Sequence, residues 1–258
     1  FTADTTVNSV TVGKGANSVA QNTVLGESAL DAAVTGGSNV AIGYEALTTN
    51  TTGTQNTAVG RVALQLNTTG NNNVAIGRNA LQANTTAADN TAVGTDALKL
   101  NTTGTYNVAV GRYALVNNTT ANNNTALGYN SLNANTTGTE NVAVGSGALD
   151  ANTTAGYNTA VGYNCMGANT TGAQNVAVGQ NCLQTNTTGN YNVAVGQAAL
   201  KDNTASNNTA VGMKALFENT TASNNTAVGY NALLNNTTGN SNVAVGGYSL
   251  DANTTANN

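Results

Sequence analysis

Few residues in this chain have the types and spacing that chemistry needs. His is absent from all 258 residues, which removes the commonest general base and metal ligand at neutral pH. Asp96 with Lys99, and Lys201 with Asp202, come nearest to acid–base pairs, and solvated turn charges account for both. Neither a calcium-loop spacing nor an acidic ladder occurs, so no metal is expected. "GKG" around Lys14 and "VGRNAL" around Arg78 lack the Gly-Lys-Ser/Thr of a phosphate loop. This inventory leads to an expectation of no catalytic residue, no enzyme activity and no cofactor.

Three other sets of residues could act by binding or bonding. Cys165 and Cys182 stand one repeat apart. Stacked at the strand spacing of roughly 4.8 Å, their Cα atoms would fall within disulfide range. The alternative is that each replaces a buried Ala as a small apolar residue. All nine Tyr flank turns. Among them Tyr113, Tyr129, Tyr163, Tyr230 and Tyr248 are candidates for a receptor-facing stripe, because a partly exposed Tyr stacks well on sugars or proteins. Packing over the turn backbone is the plainer account. Asn-Thr-Thr is also a glycosylation sequon, and a turn with an Asn-Thr ladder explains it structurally.

The elements that must position these residues come from a repeat. Asn stands fifteen times before a short apolar run that closes on Gly, from Asn8 to Asn242. A 17-residue interval holds along nearly the whole chain and shortens by one before Gly212. With that Asn as position 1, position 3 is Ala in the last thirteen copies, position 4 is Val, Ile or Leu, and position 5 is Gly. Position 8 is small, position 9 is Leu except at Met166, and Asn-Thr-Thr follows at positions 12 to 14. From Glu27 onward every charge falls at position 6, 7, 10, 11 or 17, which assigns those positions to solvent and the apolar ones to burial. The residue missing before Gly212 belongs to the polar stretch, marking it as a surface turn.

"NVAVG" alternates and carries β-branched residues, so it predicts a short strand. "NTTG" predicts a turn. "xxAL" fits either a second short strand with a corner or one helical turn. Two helices with their turns do not fit in a single repeat, and Asn, Thr and Gly are poor helix formers. The repeat therefore predicts an all-β solenoid of about fifteen stacked coils. Residues 1–26 are expected as N-terminal capping or irregular coils and 27–258 as the tandem solenoid. Identical residues then lie above one another, and stacked Asn can pass amide hydrogen bonds along a ladder. The ladder comprises Asn56, Asn73, Asn90, Asn107, Asn124 and Asn141, with Gly60, Gly77, Gly94, Gly111, Gly128 and Gly145 at tight corners or close backbone approaches.

Both faces of "NVAVG" lack charge, although a lone coil needs only one buried face. One face is thus expected inside the coil and the other against a partner chain, giving a homo-oligomer, expected as a three-fold fibre. Position 2 alternates Val and Thr over much of the chain, as a duplicated pair of repeats would. Net charge is −4 with seven scattered basic residues, so no nucleic-acid partner is expected. No apolar run nears the roughly 18 residues of a membrane span, and no membrane insertion is expected. A first residue that is not Met, and an end inside a repeat, suggest a processed product or a piece of something longer.

The units "NTAVGxxALxxNTTGxxNVAVG" resemble those of phage tail fibres and of bacterial proteins with tail-fibre domains, from about Val7 to the end. The shorter "NSVAIG"-like core is similar to the head repeat of trimeric autotransporter adhesins, whose repeats are shorter than this one. The resemblance implies a trimeric β-roll or β-solenoid outside a cell or on a virion, serving host attachment. The expected function is a structural fibre segment, shaft or head. The alternatives are a glycan- or receptor-binding module using the solenoid side and, less favoured, an ice-binding solenoid.

Overall fold

The computed structural model describes residues 4–257 and gathers the chain into two compact units, Phe1–Ala126 and Leu127–Asn258. In the first unit β1 (Thr5–Val7), β2 (Val10–Gly13) and β3 (Thr23–Gly26) are antiparallel neighbours. From β3 the pairing turns parallel through β4 (Val40–Ile42), β5 (Thr57–Val59), β6 (Val74–Ile76), β7 (Thr91–Val93) and β8 (Val108–Val110). β9 (Thr125–Leu127) straddles the boundary. In the second unit β10 (Val142–Val144), β11 (Thr159–Val161), β12 (Val176–Val178), β13 (Val193–Val195), β14 (Thr209–Val211), β15 (Thr226–Val228) and β16 (Val243–Val245) each pair parallel with the next. The fold is a β-solenoid. Between β2 and β3, Ala16–Ser18 makes a tight turn in which Asn17 and Ser18 are left-handed.

The coils number about thirteen rather than fifteen, and the copy beginning at Asn8 is not among them. Asn8 and Ser9 adopt left-handed φ of 49° and 68° and join β1 to β2. Two successive left-handed residues make the tight hairpin turn that antiparallel strands favour. This copy also has one more residue between its Asn and Gly than the later copies do.

Register is exact from coil to coil: Val142 opposes Thr159, Ala143 opposes Ala160 and Val144 opposes Val161. Position 3 faces inward, and Ala58, Ala109 and Ala160 are fully buried. Positions 2 and 4 face outward and stay partly exposed. The alternating Val and Thr of position 2 share this one column, as Thr57 against Val74 shows.

The "xxAL" segment is neither the second strand nor the helical turn expected of it. Positions 7 and 9 are both left-handed in coil after coil, as at Val62 (φ 53°) and Leu64 (φ 52°). This reversal aims successive N–H groups at opposite neighbours. The Val62 N–H donates to Tyr44 O of the coil before at 2.8 Å, and the Leu64 N–H to Ala80 O of the coil after at 2.9 Å. Coil-to-coil pairing thus continues through a segment that is not a strand. The left-handed state costs a non-glycine residue about 1 kcal/mol. Burying Leu64 completely contributes about 2 kcal/mol, so burial wins.

Candidate functional site

The interior of each coil holds two amide ladders. In the predicted one, the Asn107 N–H donates to Asn90 Oδ1 at 2.9 Å, and Asn107 Oδ1 accepts from the Asn124 N–H at 3.0 Å. The Asn107 Nδ2 group also donates to Ala121 O, at position 15 of its own coil, at 2.8 Å. Asn56, Asn73 and Asn90 repeat this pattern, and the Asn158 N–H takes Asn141 Oδ1 in the same way. All of these side chains are fully buried. Amide oxygens so placed accept the backbone N–H groups that would otherwise stand orphaned at the strand entry.

The second ladder is made by the sequon residues. Asn84 Nδ2 donates to Asn67 Oδ1 at 2.9 Å and to Ala87 O at 3.0 Å. These Asn side chains are also completely buried. The following Thr hydroxyl donates to the next coil's Thr carbonyl, as from Thr68 to Thr85 at 3.1 Å, which commits its one donor to the stack.

The corner glycines Gly60, Gly77, Gly94, Gly111, Gly128 and Gly145 have φ between 132° and 141°. A Cβ on Gly94 would meet the backbone carbonyl of Gly111 at 2.7 Å. Both a φ that L side chains rarely adopt and a backbone contact therefore require Gly there.

Cys165 and Cys182 are free thiols, both fully buried among apolar residues. Cys165 Sγ donates to Ala177 O at 3.3 Å, and Cys182 Sγ donates to Gly196 O. The hydrogen bond with Cys182, reinforced by burial, pushes the Cys165 thiol well above the usual thiol range. These two occupy the place that Ala takes in neighbouring coils.

The tyrosines do not form one continuous stripe. Tyr230 and Tyr248 meet edge to face with ring centroids 5.1 Å apart. Tyr113 lies under the Arg112 guanidinium at 4.5 Å, with Arg112 Nη2 donating to its hydroxyl. Tyr129 and Tyr163, two coils apart, flank a notch of about 160 Å³ floored by Ser146 and Gly147. Nothing in the sequence pattern singled out the notch except Gly147, the one glycine at position 7.

Asp96 departs from the expectation of a solvated turn charge. It is 5% exposed and accepts a hydrogen bond from Asn79 Nδ2 at 2.7 Å. Arg78 and Lys99 approach it to 3.6 and 3.5 Å. Stacking sets Arg78 and Asn79 of the coil before against it, and a carboxylate buried there needs these three partners. Lys201 and Asp202 pair at 3.5 Å with each side chain about 31% exposed, so they stay more open to water than Asp96.

Fold and site together define a parallel β-solenoid of 17-residue coils with an amide-laddered interior, the described residues including no helix long and apolar enough to cross a membrane. No protein-family model matches the chain, and no curated protein or solved structure does.

Proposed function

We propose that the chain is a structural fibre segment, the shaft or head of an attachment fibre or adhesin displayed outside a cell or on a virion, and that it performs no catalysis. The observation that carries this reading is the outward strand face. At positions 2 and 4 every coil presents Val, Ile, Leu or Thr and never a charge, and Ile76, Val108, Leu127 and Val176 are each more than a third exposed. Columns of β-branched apolar side chains on a regular sheet suit contact with the same columns of another copy. In this reading three copies associate through those faces, and each coil templates the next. The assembly then holds a binding element away from its base.

Sedimentation equilibrium tests it. The expected mass is three chains, falling to one when Val108 and Val142 are both replaced by Lys while the β-type far-UV spectrum is kept. A wild-type chain that stays monomeric at every concentration overturns the reading. A second reading, recognition of a glycan or protein along the solenoid side, is favoured by the exposure of eight of the nine Tyr, from Tyr44 to Tyr248. A glycan array probed with the chain alone separates a binding surface from a passive shaft.

A further inference from the structure

The notch between Tyr129 and Tyr163 is a gap one coil wide in a ridge of side chains. The flanking coils present Tyr-Asn at positions 6 and 7, and the coil between presents Ser146-Gly147. By strand spacing the two Tyr columns stand roughly 9.6 Å apart, which leaves room for a flat group beside the rings. A Cβ on Gly147 would meet nothing closer than Asn164 Oδ1 at 3.8 Å, so this glycine keeps the notch open.

The polar lining is made of acceptors. Asn164 Oδ1 and Asp150 Oδ1 lie near each other on the far side, both within 3.4 Å of where a Cβ on Gly167 would sit. The Asp150 carboxylate is half-buried, and among the described residues no cation lies within ion-pair distance of it. A half-buried anion without a cation is unfavourable as it stands. A ligand that relieves it must bring positive charge, with N–H donors for the two acceptors, and the aromatic walls favour one that is planar.

We infer that this notch binds an organic cation of the guanidinium class, such as the side chain of an arginine on a partner, with Asp150 as its counter-ion, Asn164 Oδ1 as an acceptor and Tyr129 and Tyr163 as walls. A neutral sugar supplies donors but leaves the Asp150 charge unpaired. Burial already raises the Asp150 carboxyl above its ordinary range, which a bound cation would reverse.

The experiment is a titration of the whole chain with argininamide, followed by amide NMR shifts of Asn130, Gly147 and Asn164, with methyl glucoside as the neutral arm. Argininamide is expected to shift these three signals saturably and methyl glucoside not to. Asp150→Asn is expected to weaken binding at least tenfold. Gly147→Asn plugs the gap with the residue that Asn130 and Asn164 already place at this left-handed position, so the fold is retained and binding is lost. Asp251→Asn removes an equivalent charge elsewhere and is expected to leave the affinity unchanged. Absence of saturable shifts, undiminished binding in Gly147→Asn or Asp150→Asn, equal weakening by Asp251→Asn, or equal binding of methyl glucoside each overturns the inference.

Discussion

Each coil buries two kinds of lining. Positions 12, 15 and 1 are joined by amide hydrogen bonds, whereas positions 3, 8 and 9 are filled by Ala and Leu. Residue choice differs accordingly. Position 1 is Asn in every copy, but position 8 accepts Ala, Ser or Cys, and position 9 accepts Met at Met166. Hydrogen bonds specify direction as well as distance, so only one side chain satisfies the polar lining. Apolar contact specifies volume, so several side chains satisfy the other.

The comparison breaks most visibly at Asn107. Asn107→Leu keeps the volume, but it strips an acceptor from the Asn124 N–H and a donor from both Ala121 O and Asn90 Oδ1. Asn118 Nδ2 still donates to Ala121 O and the Asn107 N–H to Asn90 Oδ1, so one orphaned N–H at about 1–3 kcal/mol and two lost hydrogen bonds at about 1 kcal/mol each give an expected loss of about 4 kcal/mol, read as a lower urea midpoint at unchanged slope. An Asn107→Leu variant within about 1 kcal/mol of wild type would show that the ladder is not directional. On the apolar side, Leu98→Ala is expected to lose about 3 kcal/mol through its cavity. Leu98→Met, which follows the precedent of Met166, should lose less than about 1.5 kcal/mol. The difference between the two Leu98 variants measures volume alone.

A smaller effect, of opposite sign, sharpens the picture between the two linings. Ala198 sits at position 7 with φ 56°, nearly buried. Ala198→Gly removes the left-handed penalty with little loss of apolar area, so a gain of about 1 kcal/mol is expected. Thermal unfolding checks it, and a lower midpoint would mean that the Ala198 methyl contributes more by packing than its conformation costs.

How far the sequence revealed this molecule follows from the same physics. The strand, the Asn ladder and the corner glycines were legible because each has a distinctive residue at a fixed interval. The left-handed run at positions 7 and 9 was not, because Leu carries no signal for positive φ. The frequent Asn at position 7, as at Asn130, Asn164 and Asn181, was the available clue. The N-terminal hairpin was signalled by Asn8-Ser9 between two alternating runs, but the repeat masked it. Asp96 misled because its position was charged elsewhere, and only stacking shows which charges a neighbouring coil covers. The sequons read as either glycan sites or turns. The complete burial of Asn67 and Asn84, with Nδ2 already donating, leaves no room for a glycan on those residues in the folded chain.

The smallest expected change at neutral pH tests the apolar lining through its thiols. Cys165→Ala restores the residue of neighbouring coils and should alter stability at pH 7 by less than about 1 kcal/mol. The larger consequence of the thiols appears in alkali. The Cys165 thiol is raised in the folded chain by its hydrogen bond with Cys182 and by burial. A group whose folded pKa lies above its unfolded value contributes stability below the unfolded value, about 8.5 for a thiol, and loses it as pH rises beyond that. The same contact moves the Cys182 thiol down, so above that point the unfolded chain releases both thiol protons while the folded pair keeps one. One such proton gives a slope of about 1.4 kcal/mol per pH unit. Urea unfolding at pH 8.5 and 9.5 should therefore show wild type losing about 0.7 kcal/mol more than a chain with both Cys165→Ala and Cys182→Ala, a difference from which the alkaline titration of the tyrosines cancels. Equal losses in the two chains would mean that this thiol ionises within the folded coil as readily as it does in water.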